Sequence, residues 1–228
     1  MTMTPKSSGS ATITVTSAAT DYYNEAKATY ALTVNKGTIT VTETNPSKVY
    51  DGTALTCSGV TVTKPTSGAT VKYGTSSGSY TLTSAPSITN VSESKTIYYQ
   101  VTATNYTTKT GSFECSVTQA SNPISLSKSE GSIAYPNSGT FTVSGAQGTL
   151  SVTSSATGVA TASVSGTTVT MTSVKPGSST ITVTAAGNEN YKSGSKTYAL
   201  TVRQGHTSFC SKSLASKIML AHNFICRA

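Results

Sequence analysis

Twelve tyrosines, eight carboxylates, four cysteines and two histidines carry most of the chemistry open to this 228-residue chain. Cys57 follows a VYDGT turn, and Cys115 sits in the alternating run FECSV. If their strands face each other, a disulfide could cross the core. Closing a loop of about sixty residues would contribute ~4 kcal/mol through loop-closure entropy. The other reading is a pair of buried thiols acting as small apolar side chains. The bond also requires an oxidising compartment. No CxxC or Cys/His spacing suggests zinc. Both histidines, His206 and His222, lie near the end with Cys210 and Cys226. A nucleophilic Cys–His pair needs a rigid scaffold to hold it within hydrogen-bond reach, and that stretch offers no strand pattern to build one.

The carboxylates are scattered, and no two are marked as a pair of the kind glycoside hydrolysis uses. Asp51 reads as a turn residue, accepting backbone hydrogen bonds while Gly52 takes positive φ. Loops around Asp21 and Glu189 supply one carboxylate each, too few for a tight calcium site, which takes six or more oxygens. The chain is therefore expected to be non-enzymatic, with no catalytic residue, cofactor or metal. Tyrosine remains: Tyr22-Tyr23 and Tyr98-Tyr99 place one ring on each side of a strand or loop. Outward rings could stack on sugars or contact a partner, which makes Tyr23 and Tyr99 candidate ligand contacts. They could equally cover cross-strand neighbours.

The elements that must position these groups are strands. Charged residues make up 11% of the chain, Thr and Ser dominate, and Val, Ile and Tyr recur. Such residues suit a pleated, half-buried surface. The net charge of +8 comes from Lys and Arg spread singly, whereas a nucleic-acid footprint clusters them on one face; no nucleic-acid partner is expected. No stretch approaches the ~20 apolar residues of a membrane span, and the first twenty residues lack the apolar core of an export signal.

A repeat fixes the organisation. GSATITVTSAATDYYNEAKATYALTVNKG begins at Gly9, and GSSTITVTAAGNENYKSGSKTYALTVRQG begins at Gly177. Each reads as strand, polar loop, strand. Ile13 and Val15, or Ile181 and Val183, share a face, and Tyr30, Leu32 and Val34, or Tyr198, Leu200 and Val202, alternate in the same way. A lone hairpin is marginal in water, so the opening copy is expected to be the last two strands of a domain whose beginning is missing. Upstream of the second copy, short strands are expected at 124–127, 132–134, 139–144, 149–153, 159–164 and 167–173, then 178–185 and 196–203. Turn signals separate them, ASVSGTTVTM being a hairpin. This density of strands predicts an immunoglobulin-like sandwich. Between the copies lies another all-β unit, with loops at 74–79 and 83–87.

VYDGTALT resembles the motif of the YDG and MBG-type all-β repeats of bacterial surface proteins. ASVSGTTVTMTSVKPGSSTITVTAAGNENYKSGSKTYALTV resembles the C-terminal half of a bacterial immunoglobulin-like (Big, group 2-like) domain, and the opening copy is similar to the end of another. The resemblance implies tandem all-β modules: a two-strand remnant at 1–35, a YDG/MBG-like domain at 36–120, an immunoglobulin-like sandwich at 121–203 and a non-domain tail at 204–228. It implies a structural spacer in a cell-surface or secreted repeat protein, with neighbouring modules of the same parent chain as partners. The alternatives are an adhesive or carbohydrate-binding module meeting a host glycan or protein, and a phage or prophage structural protein. The expected location is extracellular or the cell surface. Within the tail, Leu214, Ile218, Leu220 and Ile225 could form one short apolar helical face.

Overall fold

The computed structural model describes residues 2–205; the tail, with the helical face read into it, lies outside the described residues. The fold is all-β. The described residues divide into a unit of residues 2–120 with 189–192 and a unit of residues 121–188 with 193–205.

The first unit opens with a hairpin of β1 (Gly9–Ser17) and β2 (Ala26–Val34), which forms a two-stranded sheet of its own. There follow β3 (Gly37–Thr38), β4 (Thr40–Glu43), β5 (Ser47–Val49), β6 (Leu55–Thr56), β7 (Val60–Lys64), β8 (Ala69–Gly74), β9 (Ser87–Ile88), β10 (Lys95–Ala103), β11 (Tyr106–Thr107) and β12 (Lys109–Thr118). The main sheet has the order β5-β12-β10-β8, and β3 with β11, β4 with β7 and β6 with β9 form three short pairs. Period-two alternation sends Ile97, Tyr99 and Val101 of β10, and Phe113, Cys115 and Val117 of β12, into one buried cluster with Ile39, Cys57 and Ile88.

The second unit is a sandwich. Its strands are β13 (Ser125–Leu126), β14 (Glu130–Ala134), β15 (Ser138–Ser144), β16 (Leu150–Ser154), β17 (Ala160–Ser165), β18 (Thr168–Ser173), β19 (Gly177–Ala185) and β20 (Gly194–Arg203). Two four-stranded sheets, β13-β15-β18-β17 and β14-β20-β19-β16, supply the two inner faces. Phe141, Val143, Val169 and Met171 come from one sheet, and Ile181, Val183, Tyr198, Leu200 and Val202 from the other. Phe141 and Tyr198 stack with ring centroids 4.5 Å apart and planes 7° from parallel. All eight strands fall where alternation and turn residues put them, to within a residue or two at most ends. Among the described residues the sharpest difference lies in the first unit, where Ser87, read as loop, pairs with Thr56. A two-residue pairing has no alternation to read.

The repeat survives as geometry. Gly9 pairs with Val34 and Ser17 with Ala26, and Gly177 pairs with Val202 and Ala185 with Gly194. The two hairpins share one register. Even the opening glycines agree, with φ of 147° at Gly9 and 149° at Gly177. What differs is the cover. Ile181, Val183, Tyr198, Leu200 and Val202 are buried, whereas Val15 is 57% exposed and Tyr30 61%. A short anchor ties the base of the first hairpin to its unit: the Ser8 N–H donates to Asn105 Oδ1 at 3.1 Å.

This contrast sets a matched pair of expectations. Tyr198→Ala empties a core site and should cost about 3 kcal/mol or more. Tyr30→Ala, at the same place in the repeat, should stay within about 0.5 kcal/mol. Urea unfolding of the two variants measures both.

Candidate functional site

Chemistry-bearing side chains of the first unit gather in and beside its core. Tyr99 is fully buried, and its hydroxyl donates to the Glu43 carboxylate of β4. The ring lies over Gly111, its register partner on β12, where a Cβ would strike the phenol. Gly111 is thus the residue that lets a tyrosine fit between these strands. Phe113 sits beside it with centroids 6.5 Å apart and an interplanar angle of 29°. Burial first, then the hydrogen bond and charge of Glu43, hold the Tyr99 hydroxyl well above its ordinary pKa of 10.0. It is a proton donor at every physiological pH.

Tyr99 is therefore not a surface contact for a ligand, and that expectation is corrected. The reason is phase: Tyr99 is two residues from Ile97 and two from Val101, both buried, so it shares their face. Tyr98 takes the opposite face and is half-buried. The outward tyrosines are Tyr22 and Tyr23, 90% and 78% exposed. They occupy the β1–β2 loop, where Thr20 and Tyr23 exchange backbone hydrogen bonds of 2.8 and 3.3 Å.

Cys57 and Cys115 form a disulfide with Cα atoms 5.6 Å apart and a sequence separation of 58. Both residues are wholly buried in the cluster that contains Tyr99. The bond joins the segment after β6 to a central strand of the main sheet. The core it crosses is short of large aliphatic side chains, and a covalent link compensates for that shortage.

The VYDGT turn is built on Asp51. Its Oδ1 accepts from the Lys48 ammonium at 2.6 Å, the Thr53 N–H at 2.9 Å and the Thr53 hydroxyl at 2.8 Å. The Lys48 bond, followed by those from Thr53, holds the Asp51 carboxyl far below the usual carboxylate range. Gly52 takes φ of 80°, a conformation a side chain rarely adopts. The sequence identified Asp51 and Gly52 as turn residues; Lys48 was not foreseen, although its spacing of three residues from Asp51 was available. The Glu43–Tyr99 pair was not foreseen either, because its members are far apart in sequence and no local pattern joins them.

A groove of about 330 Å³ runs along β4, lined by Ile39, Thr40, Val41, Glu43 and Lys109. This is at the small end of the ~300–1,000 Å³ typical of small-molecule sites. Its single carboxylate already accepts from Tyr99, and paired-carboxylate chemistry needs a second. A groove of about 320 Å³ lies at one end of the second unit, between the 144–149 turn and Gly166-Thr167; it carries no ionisable side chain. Among the described residues no three His, Cys, Asp or Glu side chains come together as a metal site, and no helix is long and apolar enough to cross a membrane. What the arrangement offers is two locked cores and surfaces of hydroxyls and rings.

The chain is similar, at low identity, to solved structures of a surface-layer protein and of intimin. Domains 4 and 5 of the S-layer protein SbsC match at 21% identity over 74% of this chain and 99% of that chain, with a TM-score of 0.36. A longer SbsC structure, spanning its residues 31–844, matches at 18% identity with a TM-score of 0.38. That match covers 87% of this chain but 36% of the S-layer chain. The D00-D0 domain of intimin matches at 15% identity over 70% of this chain and 98% of that chain, with a TM-score of 0.30. No protein-family model matches the chain, and no curated protein matches it significantly.

Two outcomes follow for the first unit. Replacing Cys57 and Cys115 together by Ser should lower its stability by about 2–5 kcal/mol and leave the unfolding of the second unit in place; calorimetry on the full chain separates the two. Tyr99 has its pKa raised on folding, so its contribution is whole below pH 10 and is lost as pH climbs from there through the folded value. Tyr99→Phe should cost about 1 kcal/mol at neutral pH and flatten the loss of stability above pH 10, which denaturation at stepped pH records.

Proposed function

We propose that this chain is a non-enzymatic structural segment, a spacer, of a bacterial cell-surface or secreted repeat protein. One observation carries the reading: a strand pair repeated in identical register, Gly9–Val34 and Gly177–Val202. Recurrence of that kind belongs to modular arrays, in which each module is a self-contained β unit and the next repeats its plan. The domain plan that goes with it assigns 1–35 to the closing strands of an immunoglobulin-like module, 36–120 to a YDG/MBG-like domain, 121–203 to a bacterial immunoglobulin-like sandwich and 204–228 to a tail. The VYDGTALT and SGTTVTM…TYALTV stretches support those family assignments. The disulfide of the first unit supports an oxidising, extracellular setting. In such an array the partners are neighbouring modules of the parent chain.

A second reading, an adhesive or carbohydrate-binding module, has the neighbouring Tyr22 and Tyr23 in its favour, both standing out from the hairpin loop. Rings presented in this way are suited to stacking on sugars or to a protein surface.

A spacer must hold under load, and the disulfide makes this measurable. The 58-residue stretch between the cysteines cannot extend while the bond is intact. Single-molecule pulling should therefore show the first unit lengthening by roughly 190–210 Å more after reduction than before, at about 3.3–3.6 Å per residue. Both units should unfold as separate events, with no binding on glycan arrays or host cells. Binding that disappears on joint replacement of Tyr22 and Tyr23 by Ala would replace the spacer reading with the adhesive one.

A further inference from the structure

The β1–β2 hairpin presents Ile13, Val15, Tyr30, Leu32 and Val34 on one face, with Val15 and Tyr30 more than half exposed. An uncovered face does not by itself identify its partner. Here the chain contains the same hairpin a second time, in the same register, with its cover in place. In that copy β14 pairs parallel with β20 from Glu130↔Ala199 to Ala134↔Arg203. On the other side β16 pairs antiparallel with β19 from Leu150↔Ala185 to Ser154↔Ile181. The opposite sheet brings Phe141 onto the ring of Tyr198 and Val169 and Met171 into the same core. The copies share identical side chains at Ile13/Ile181, Val15/Val183, Tyr30/Tyr198, Leu32/Leu200 and Val34/Val202. At these five positions the same cover fits both, whereas Ala26 stands where Gly194 packs closely against Asn122, so a partner of the first hairpin needs more room there.

We infer that the hairpin Gly9–Val34 is a docking element for an incomplete immunoglobulin-like sandwich, one that lacks its last two strands and has the chemistry of residues 121–176. Such a partner places one strand parallel to β2 along Ala31–Asn35 and another antiparallel to β1 along Ile13–Ser17. It sets an aromatic ring on Tyr30 and a glycine under the Tyr30 hydroxyl, the place Gly131 has beneath Tyr198. Two sources of specificity act together: backbone pairing on both hairpin edges, and side chains that fill one buried face. The inference rests on reading 1–35 as a closing strand pair and is independent of the spacer role.

The test places residues 121–176 directly ahead of Gly9 in the otherwise full chain, so that Pro176 precedes Gly9 as it precedes Gly177. The chain contains no tryptophan, so Tyr30→Trp supplies a single reporter; a second fusion keeps Tyr30 and is followed by amide exchange alone. The expected result is a blue-shifted Trp emission relative to the unfused Tyr30→Trp chain. Amide exchange across Ile13–Ser17 and Ala31–Asn35 should slow by about tenfold or more. Val15→Asp should abolish both effects. A reporter that stays water-exposed, with unprotected hairpin amides beside a protected Gly177–Val202, overturns the inference. So does an unfused chain that is already dimeric and dissociates on Val15→Asp, since a second copy would then be the occupant. Pulling experiments on the unfused chain do not depend on either result, so failure here leaves the spacer reading standing.

Discussion

The structure depends on one constraint: a strand that alternates threonine with aliphatic or aromatic residues has one face that must be taken out of water. In the second unit that requirement is met by two four-stranded sheets facing each other, and Ile181, Val183, Ala185, Tyr198, Leu200 and Val202 of β19 and β20 are buried as a result. In the first unit it is met by a smaller main sheet closed by three short strand pairs. The burial of each large side chain contributes about 1.5–3 kcal/mol, so a sequence with few of them has little margin. The two units meet this shortage differently. The sandwich stacks Phe141 on Tyr198. The other unit buries Tyr99 whole, clears Gly111 to make room for it, gives its hydroxyl to Glu43 and ties Cys57 to Cys115.

That difference explains why the fold was easier to read than the site. Strands of the sandwich announce themselves by long alternation broken by Pro136-Asn137, Gly148 and Gly166. These are local signals, and the observed strands follow them. The short pairs β3–β11 and β6–β9 have two residues a side, and no period can be recognised over that length. Tyr99 is instructive in another way. The alternation of Ile97, Tyr99 and Val101 was visible in the sequence and already implied an inward ring. Placing Tyr99 at the surface gave weight to the Tyr98-Tyr99 doublet, which fixes that the two rings diverge and leaves open which of them points outward. The neighbours two residues away resolve it.

Long-range pairings were out of reach for a physical reason. Glu43 and Tyr99 are 56 residues apart, and nothing in a single sequence couples a carboxylate on one strand to a phenol on another. The cysteines could be weighed because there were two of them in one unit, yet their partnership depends on which strands oppose each other. Asp51 was legible because its partners are local: Thr53 is two residues on and Lys48 three back.

A thin-cored, threonine-rich protein must also keep its sheet edges from pairing with unintended strands. Two of the lysines stand where they serve that task. Lys48 stands on β5 and Lys72 on β8, the two edges of the main sheet, and a lysine on an edge makes strand addition costly. The first hairpin has two open edges of nine residues each. Among the residues of those edges, Lys27 is the only charge, and it pairs with Glu25 just outside β2 at 2.7 Å. By this measure β2 is no different from β5 and β8, since each carries one lysine, and β1 is the edge that carries no charge. The uncharged edge β1 is built of threonine, serine, alanine, isoleucine and valine after Gly9, residues that accept a neighbouring strand.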